Sequence, residues 1–264
     1  MPDRLMGAIR RALHEQAGWD IDHPTDRDAM EDVLRAAGVE RYLALPYAHK
    51  PGMAADLNEW VLAQTGDSAM AVPFATVHPE DDVAAVVRDA FDAGARGLKF
   101  QCPVQGAGPA DPRLDPAFEL AADRDRPIVF HAGTAPHFED SPDVGADQFT
   151  QFLSSYPEVR ACAAHMGTYE VAEFLDMARD HDQAFLDTTV AMSSEAADLM
   201  GFDPASIPDA TLVELSESVM YGSDYPNIPY PYEAERAHLL ARELPQEAAR
   251  DIFHRTALRF LGEE

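Results

Sequence analysis

Lysine is almost missing from this 264-residue chain, which has Lys50 and Lys99 and no others. All Lys and Arg together number 20 against 47 Asp and Glu, a formal net charge of −27. So anionic a surface argues against nucleic acid as a partner, because that binding depends on cations facing phosphates. The acidic residues are spread along the whole chain, so they do not form a disordered tail. Self-repulsion of this size is relieved in molar salt, where the Debye length is about 3 Å. The expectation is a halophile's surface, with an acidic mesophile protein as the alternative.

Cysteine is scarce too. Cys102 and Cys162 lie at or just past separate predicted strands with no CxxC spacing, and they read as small buried residues in a reducing compartment. No apolar run approaches the roughly 20 residues that cross a bilayer, and Met1-Pro2-Asp3-Arg4-Leu5 lacks a signal pattern. A soluble, cytoplasmic protein with no membrane partner is therefore expected. Repeats, low-complexity tracts and linkers are also absent, so residues 1–264 read as a single domain. Within it, 1–25 form a loop and helix insertion, helical over Arg4–Gln16, ahead of the first crossover helix.

The chain does contain short apolar runs alternating with amphipathic segments, the pattern of a parallel sheet with crossover helices. The expected strands are Arg41–Leu45, Ala71–Val77, Gly97–Phe100, Ile128–His131, Val159–Ala164, Ala184–Asp187 and Val219–Ser223. Helices are expected over Asp26–Ala37, Pro79–Ala93 and Thr168–Asp180, with a C-terminal helical run Glu233–Leu261. Pro103–Pro116 reads as an active-face loop. The fold class is α/β, a (β/α)8 TIM barrel of eight strands. Only seven are found, so the barrel lacks or replaces its first strand. An open sheet edge of that kind favours association into homo-oligomers.

Three patches carry chemistry: Phe130-His131-Ala132-Gly133, Ala164-His165-Met166-Gly167 and Gly222-Ser223-Asp224-Tyr225-Pro226. Each puts a metal-ligand type of side chain where a strand ends, and strand ends of such a barrel converge on one face. Imidazole and carboxylate are ligands of catalytic zinc and related ions. Lys99 also ends a strand. It is either a salt-bridged barrel lysine or a partner for a substrate carboxylate, with carbamylation as a third option. Further candidates for touching a small-molecule substrate are His49, His137 and Asn227, with His78 and Tyr230 on neighbouring loops.

The runs Gly94-Ala-Arg-Gly-Leu-Lys-Phe, Pro127-Ile-Val-Phe-His-Ala-Gly, Ala164-His-Met-Gly and Tyr221-Gly-Ser-Asp-Tyr-Pro resemble the amidohydrolase superfamily. The closest resemblance is to its amidohydrolase-related branch, which includes aminocarboxymuconate-semialdehyde decarboxylase, resorcylate decarboxylases and dicarboxylate lactonases. It covers about residue 26 to the end, with His254-Arg-Thr-Ala-Leu-Arg-Phe-Leu similar to the branch's C-terminal stretch. The resemblance implies that His131 and Asp224 bind a divalent metal. His165 would hydrogen-bond or deprotonate metal-bound water, and Asp224 would also take a proton. Zinc is the expected ion and manganese the alternative.

The implied reaction is hydrolysis of a small ester, lactone or amide by metal-activated water. Non-oxidative decarboxylation of a small carboxylic or phenolic acid is the alternative, and a catalytically impaired barrel with a binding role is a further one. The family's first strand ends in His-x-His, which this sequence does not contain. Met1-Pro-Asp-Arg-Leu-Met resembles the stretch just past that motif, so the expectation is a native start farther upstream. The alternative is a variant with a weak or absent metal site, in which Asp22 or His23 could serve as replacement ligands.

Overall fold

The computed structural model describes residues 3–136 and 138–263. Seven strands run through it: β1 (Tyr42–Ala44), β2 (Ala71–Pro73), β3 (Leu98–Phe100), β4 (Ile128–Phe130), β5 (Ala161–Ala163), β6 (Ala184–Asp187) and β7 (Val219–Met220). β1 pairs with β2, and β3 to β7 form a second sheet in sequential order. Every pairing is parallel, and a bridge from Ala75 to Leu98 joins the two sheets. With helices in the crossovers, this is the wall of an α/β TIM barrel. Among the described residues, no strand pairs with the free edge of β1 or of β7.

All seven expected strands are present, and most are shorter than their apolar runs. Only β6 keeps its expected bounds; the 219–223 run pairs over two residues. Strand periodicity sorts the side chains between two cores. Leu98, Phe100, Ile128, Phe130, Ala161, Ala163, Leu186 and Val219 face outward into the large core under the helices. Val72, Phe74, Val129, Cys162, Phe185 and Met220 face inward, where Phe260 and Leu261 of the last helix plug one end of the barrel.

Helix boundaries follow local chemistry. Asp26 caps the helix Arg27–Ala36 by accepting from the Ala29 N–H. The helix expected from Pro79 begins only at Val83, because Asp82 caps it through the Ala85 N–H. The one expected from Thr168 begins at Val171, since residues 165–168 are left-handed. The stretch 103–116 is not a plain loop: it holds the short helix Cys102–Gln105 and the 3-10 turn Pro112–Leu114.

The C-terminal run is broken twice. Glu233–Ala241 ends before Pro245, and a π-helical turn spans Asp251–Arg255. Beside that turn, the Ile252 carbonyl accepts the Tyr221 N–H, on the strand edge that lacks a neighbour, at 2.8 Å. Among the described residues no helix is long and apolar enough to cross a membrane.

Candidate active site

The inward positions at the ends of the strands converge on one cavity of about 980 Å3. Lys99 lies on β3, His131 directly follows β4, Asp187 ends β6, and His165 and Asp224 follow β5 and β7. All five line the cavity, as does Asn227. The helix Asp3–Ala17 contributes Met6, Ile9 and Leu13 to its wall.

Close backbone approach explains why each histidine has a glycine two residues on. A Cβ added to Gly133 would lie 2.3 Å from the Gly167 carbonyl oxygen, so the loops after β4 and β5 cross where only hydrogen fits. Gly222 has the same role after β7, where a Cβ would meet Thr189 Oγ1 at 2.3 Å. His165 (φ 58°) and Asp224 (φ 51°) both have left-handed backbone, and Tyr225–Pro226 is a cis peptide. Left-handed non-glycine residues cluster at functional sites because their surroundings must enforce them.

The two imidazoles lie 4.9 Å apart between ring centroids. His131 is buried and its Nε2 has no partner. Burial holds its pKa well below the usual histidine range, and His165 and Lys99 add to this, so the ring is neutral. His165 is held on two sides: its N–H donates to Asp187 Oδ1 at 3.0 Å, and its Nδ1 lies 3.2 Å from the Thr189 carbonyl. A carbonyl only accepts, so Nδ1 carries a hydrogen, and the neutral ring is then the tautomer with its lone pair on Nε2.

Asp224 is open to the cavity yet surrounded by protein, and this burial raises its pKa although His165 and Lys99 pull it down. Lys99 is 7% exposed. Burial lowers its pKa, against the opposing pull of Asp224 and Asp187. Among the described residues its ammonium makes no hydrogen bond or ion pair. That removes the salt-bridged reading of this lysine.

The other sequence candidates are placed as follows. His49 is exposed and does not line the cavity. Tyr47, two residues earlier, lines it instead, its pKa pushed up to about 12 by burial and by Asp224. His137 lies outside the described residues. His78 accepts the Glu80 N–H at Nδ1 within its own turn. Asn227 Oδ1 and the Tyr225 hydroxyl are buried at the cavity wall without partners.

Asp187 and Tyr47 were not singled out in the sequence. Asp187 had a usable signal, a carboxylate directly ending an apolar run, as Asp224 nearly does. Tyr47 had none.

Donor types and the bare His131 Nε2 suit one side of a divalent-metal centre. However, among the described residues no three His, Cys, Asp or Glu side chains form a group that could hold an ion. His23 does not fill the place, since its Nε2 contacts the Tyr230 carbonyl at 2.8 Å. The residues present do not fit a complete metal site.

A model of the amidohydrolase family matches residues 14–262. The chain is similar in fold to an uncharacterised TIM-barrel protein of Bordetella bronchiseptica, at 17% identity and TM-score 0.76, over 98% of this chain and 92% of that one. It is similar to 5-carboxyvanillate decarboxylase of Novosphingobium aromaticivorans, solved with manganese and a nitrobenzoic acid, at 13% identity and TM-score 0.65, over 98% and 93%. A putative 2-pyrone-4,6-dicarboxylic acid hydrolase of Pseudomonas putida is similar at 14% identity and TM-score 0.66, over 96% and 94%. A search of curated proteins gave no match.

Proposed function

This chain belongs to the amidohydrolase family, a family of enzymes, and on that premise we propose that it decarboxylates a small carboxylic or phenolic acid held in the central cavity. One observation carries the reading: Lys99 is a buried lysine at the cavity wall that makes no hydrogen bond or ion pair among the described residues. A desolvated lysine that is near Asp187 and Asp224 but bonded to neither leaves its donors for a carboxylate brought in by the substrate. The similar carboxyvanillate enzyme, a decarboxylase, supports the same choice.

The chain's own groups suffice to write the step. Lys99 anchors the substrate carboxylate and sets its plane. Asp224, which lines the cavity, delivers a proton in its acid form to the carbon bearing the carboxylate. The bond from that carbon to the carboxylate breaks, carbon dioxide leaves, and water in the cavity returns a proton to Asp224. Asn227 and Tyr225 line the cavity and are the candidates for contact with a phenolic hydroxyl. No step is routed through a metal; zinc or manganese at His131, with Asp224 and His165 beside it, would need ligands beyond these three.

Hydrolysis of a small ester, lactone or amide is the second reading. It is favoured by the Nδ1 contact of His165 to the Thr189 carbonyl, which in the neutral ring leaves Nε2 to take a proton from water. Carbon dioxide release from hydroxybenzoates, compared with lactone and ester opening, separates the two. Decarboxylation predicts release that falls at least about 100-fold in Lys99→Gln, the scale of a lost charge-assisted contact. Lactone opening without carbon dioxide release would transfer the assignment to hydrolysis.

A further inference from the structure

Behind the cavity wall sits an acid that the proposed step does not use. Glu235, on the helix Glu233–Ala241, is 1% exposed. Its Oε1 accepts the Val190 N–H at 2.5 Å and the Tyr230 hydroxyl at 2.6 Å. Its Oε2 is buried without a partner.

The residue it holds is strained. Val190 has φ 58°, a left-handed conformation that a β-branched residue keeps only when its surroundings enforce it. Thr189, just before it, donates its N–H to Asp187 Oδ1 at 3.1 Å and turns its carbonyl to His165 Nδ1 at 3.2 Å. The turn 187–190 is thus tied by a carboxyl group near each end, and between them it bears on the imidazole that lines the cavity.

We infer that Glu235 is a positioning residue: by holding the Val190 N–H it keeps the strained turn in place, aims the Thr189 carbonyl at His165, and fixes that ring as the Nδ1–H tautomer. This rests on His165 being a working group of the proposed site. The Glu235 carboxyl is raised to about 8 by burial, with Asp187 and Asp224 adding to the rise while Tyr230 and the Val190 N–H oppose it. Tyr221 and Tyr232 also feel its charge. At pH 7 it is therefore a neutral acid, and glutamine is its close mimic.

The test is the long-range 1H–15N spectrum of the His165 ring in the full chain at pH 7. Wild type and Glu235→Gln are expected to show one Nδ1–H tautomer, and Glu235→Leu a mixture. Carbon dioxide release should fall about 10- to 100-fold in Glu235→Leu, the usual range for groups that orient a working histidine, and be largely restored in Glu235→Gln. Glycine adopts φ 58° without strain. If Glu235→Leu alone fails to fold, the double variant with Val190→Gly is read instead, with the same mixture expected. A pure Nδ1–H signal in the folded leucine variant overturns the inference. The spectrum needs no substrate, so that failure is distinct from failure of the decarboxylation reading.

Discussion

From β3 to β6 every strand residue is buried, whereas none of the three residues of β1 is, and β2 buries only its middle one. The outward side of the buried half packs on an aromatic cluster. Phe118 meets Phe100, Phe130, Phe152 and Tyr156 with ring centroids 5.0–5.8 Å apart, each edge to face. The β1 side has Leu43 and Leu45 only partly buried against the inner core, and the cavity reaches both. Lys99, His131, His165 and Asp187 all come from the buried half. Holding an unpaired ammonium beside two carboxylates requires walls that do not relax. The looser half borders the cavity in which the proposed substrate would be held.

The largest test of this contrast is a pair of truncations. Phe118→Ala should cost about 3–5 kcal/mol, as loss of a fully buried aromatic side chain does, and Leu43→Ala below about 1.5 kcal/mol, because its site is already half open. Denaturant unfolding of both variants in one buffer measures the difference. Equal losses would mean that the two halves are packed alike.

A smaller effect of opposite sign is expected at Lys99. Replacing a buried ammonium that has no partner by methionine removes a desolvation cost, so Lys99→Met should be about 1–3 kcal/mol more stable while losing turnover. Destabilisation would show that the buried half satisfies this cation within the fold, and the substrate-anchor role would lose its support.

Glu235 joins the last strand of the buried half to the loop beyond β7, and its effect is read against pH. Unfolded, it ionises near 4.5; folded, near 8. Between these values the folded chain binds the extra proton, so stability falls as pH rises and levels off above about 8. From pH 6 to 7, wild type should lose up to about 1.4 kcal/mol more than Glu235→Gln. Parallel curves for the two proteins would place the ionisation elsewhere.

The same contrast decides how much could be read from the sequence. Strands of the buried half are continuous apolar runs ending in a functional side chain, and their presence and the convergence of His131, His165 and Asp224 were legible, whereas the crossing of the loops at Gly133 and Gly167 was not. β1 was found as a run, but its half-burial was not, because exposure depends on what lies beside its free edge. Glu235 was invisible for a different reason: in Glu233-Ala-Glu235-Arg it reads as one of many surface acids on a very acidic chain. Only the packing of its helix behind Val190 distinguishes it. His49 misled because a histidine in the loop after a strand is a fair candidate for substrate contact, whereas this loop turns it to solvent and sets Tyr47 on the cavity instead.

The smallest expected effect is a single amide. In β3 consecutive N–H groups bond to opposite neighbours, Leu98 to the Pro127 carbonyl at 3.0 Å and Lys99 to the Ala75 carbonyl at 2.8 Å. In β1 the Tyr42 N–H reaches the Met70 carbonyl at 2.9 Å, while the register with β2 turns the next N–H, that of Leu43, toward the free edge, where no described residue accepts it. Hydrogen exchange should therefore find Leu98, Lys99 and Tyr42 protected and Leu43 nearly unprotected, with an opening free energy close to zero. The test is internal to one strand, so differences in solvent or global stability cancel. A Leu43 amide as slow as that of Tyr42 would mean that the free edge is paired in solution, and the division of the barrel into a rigid half and an open one would fail at its narrowest point.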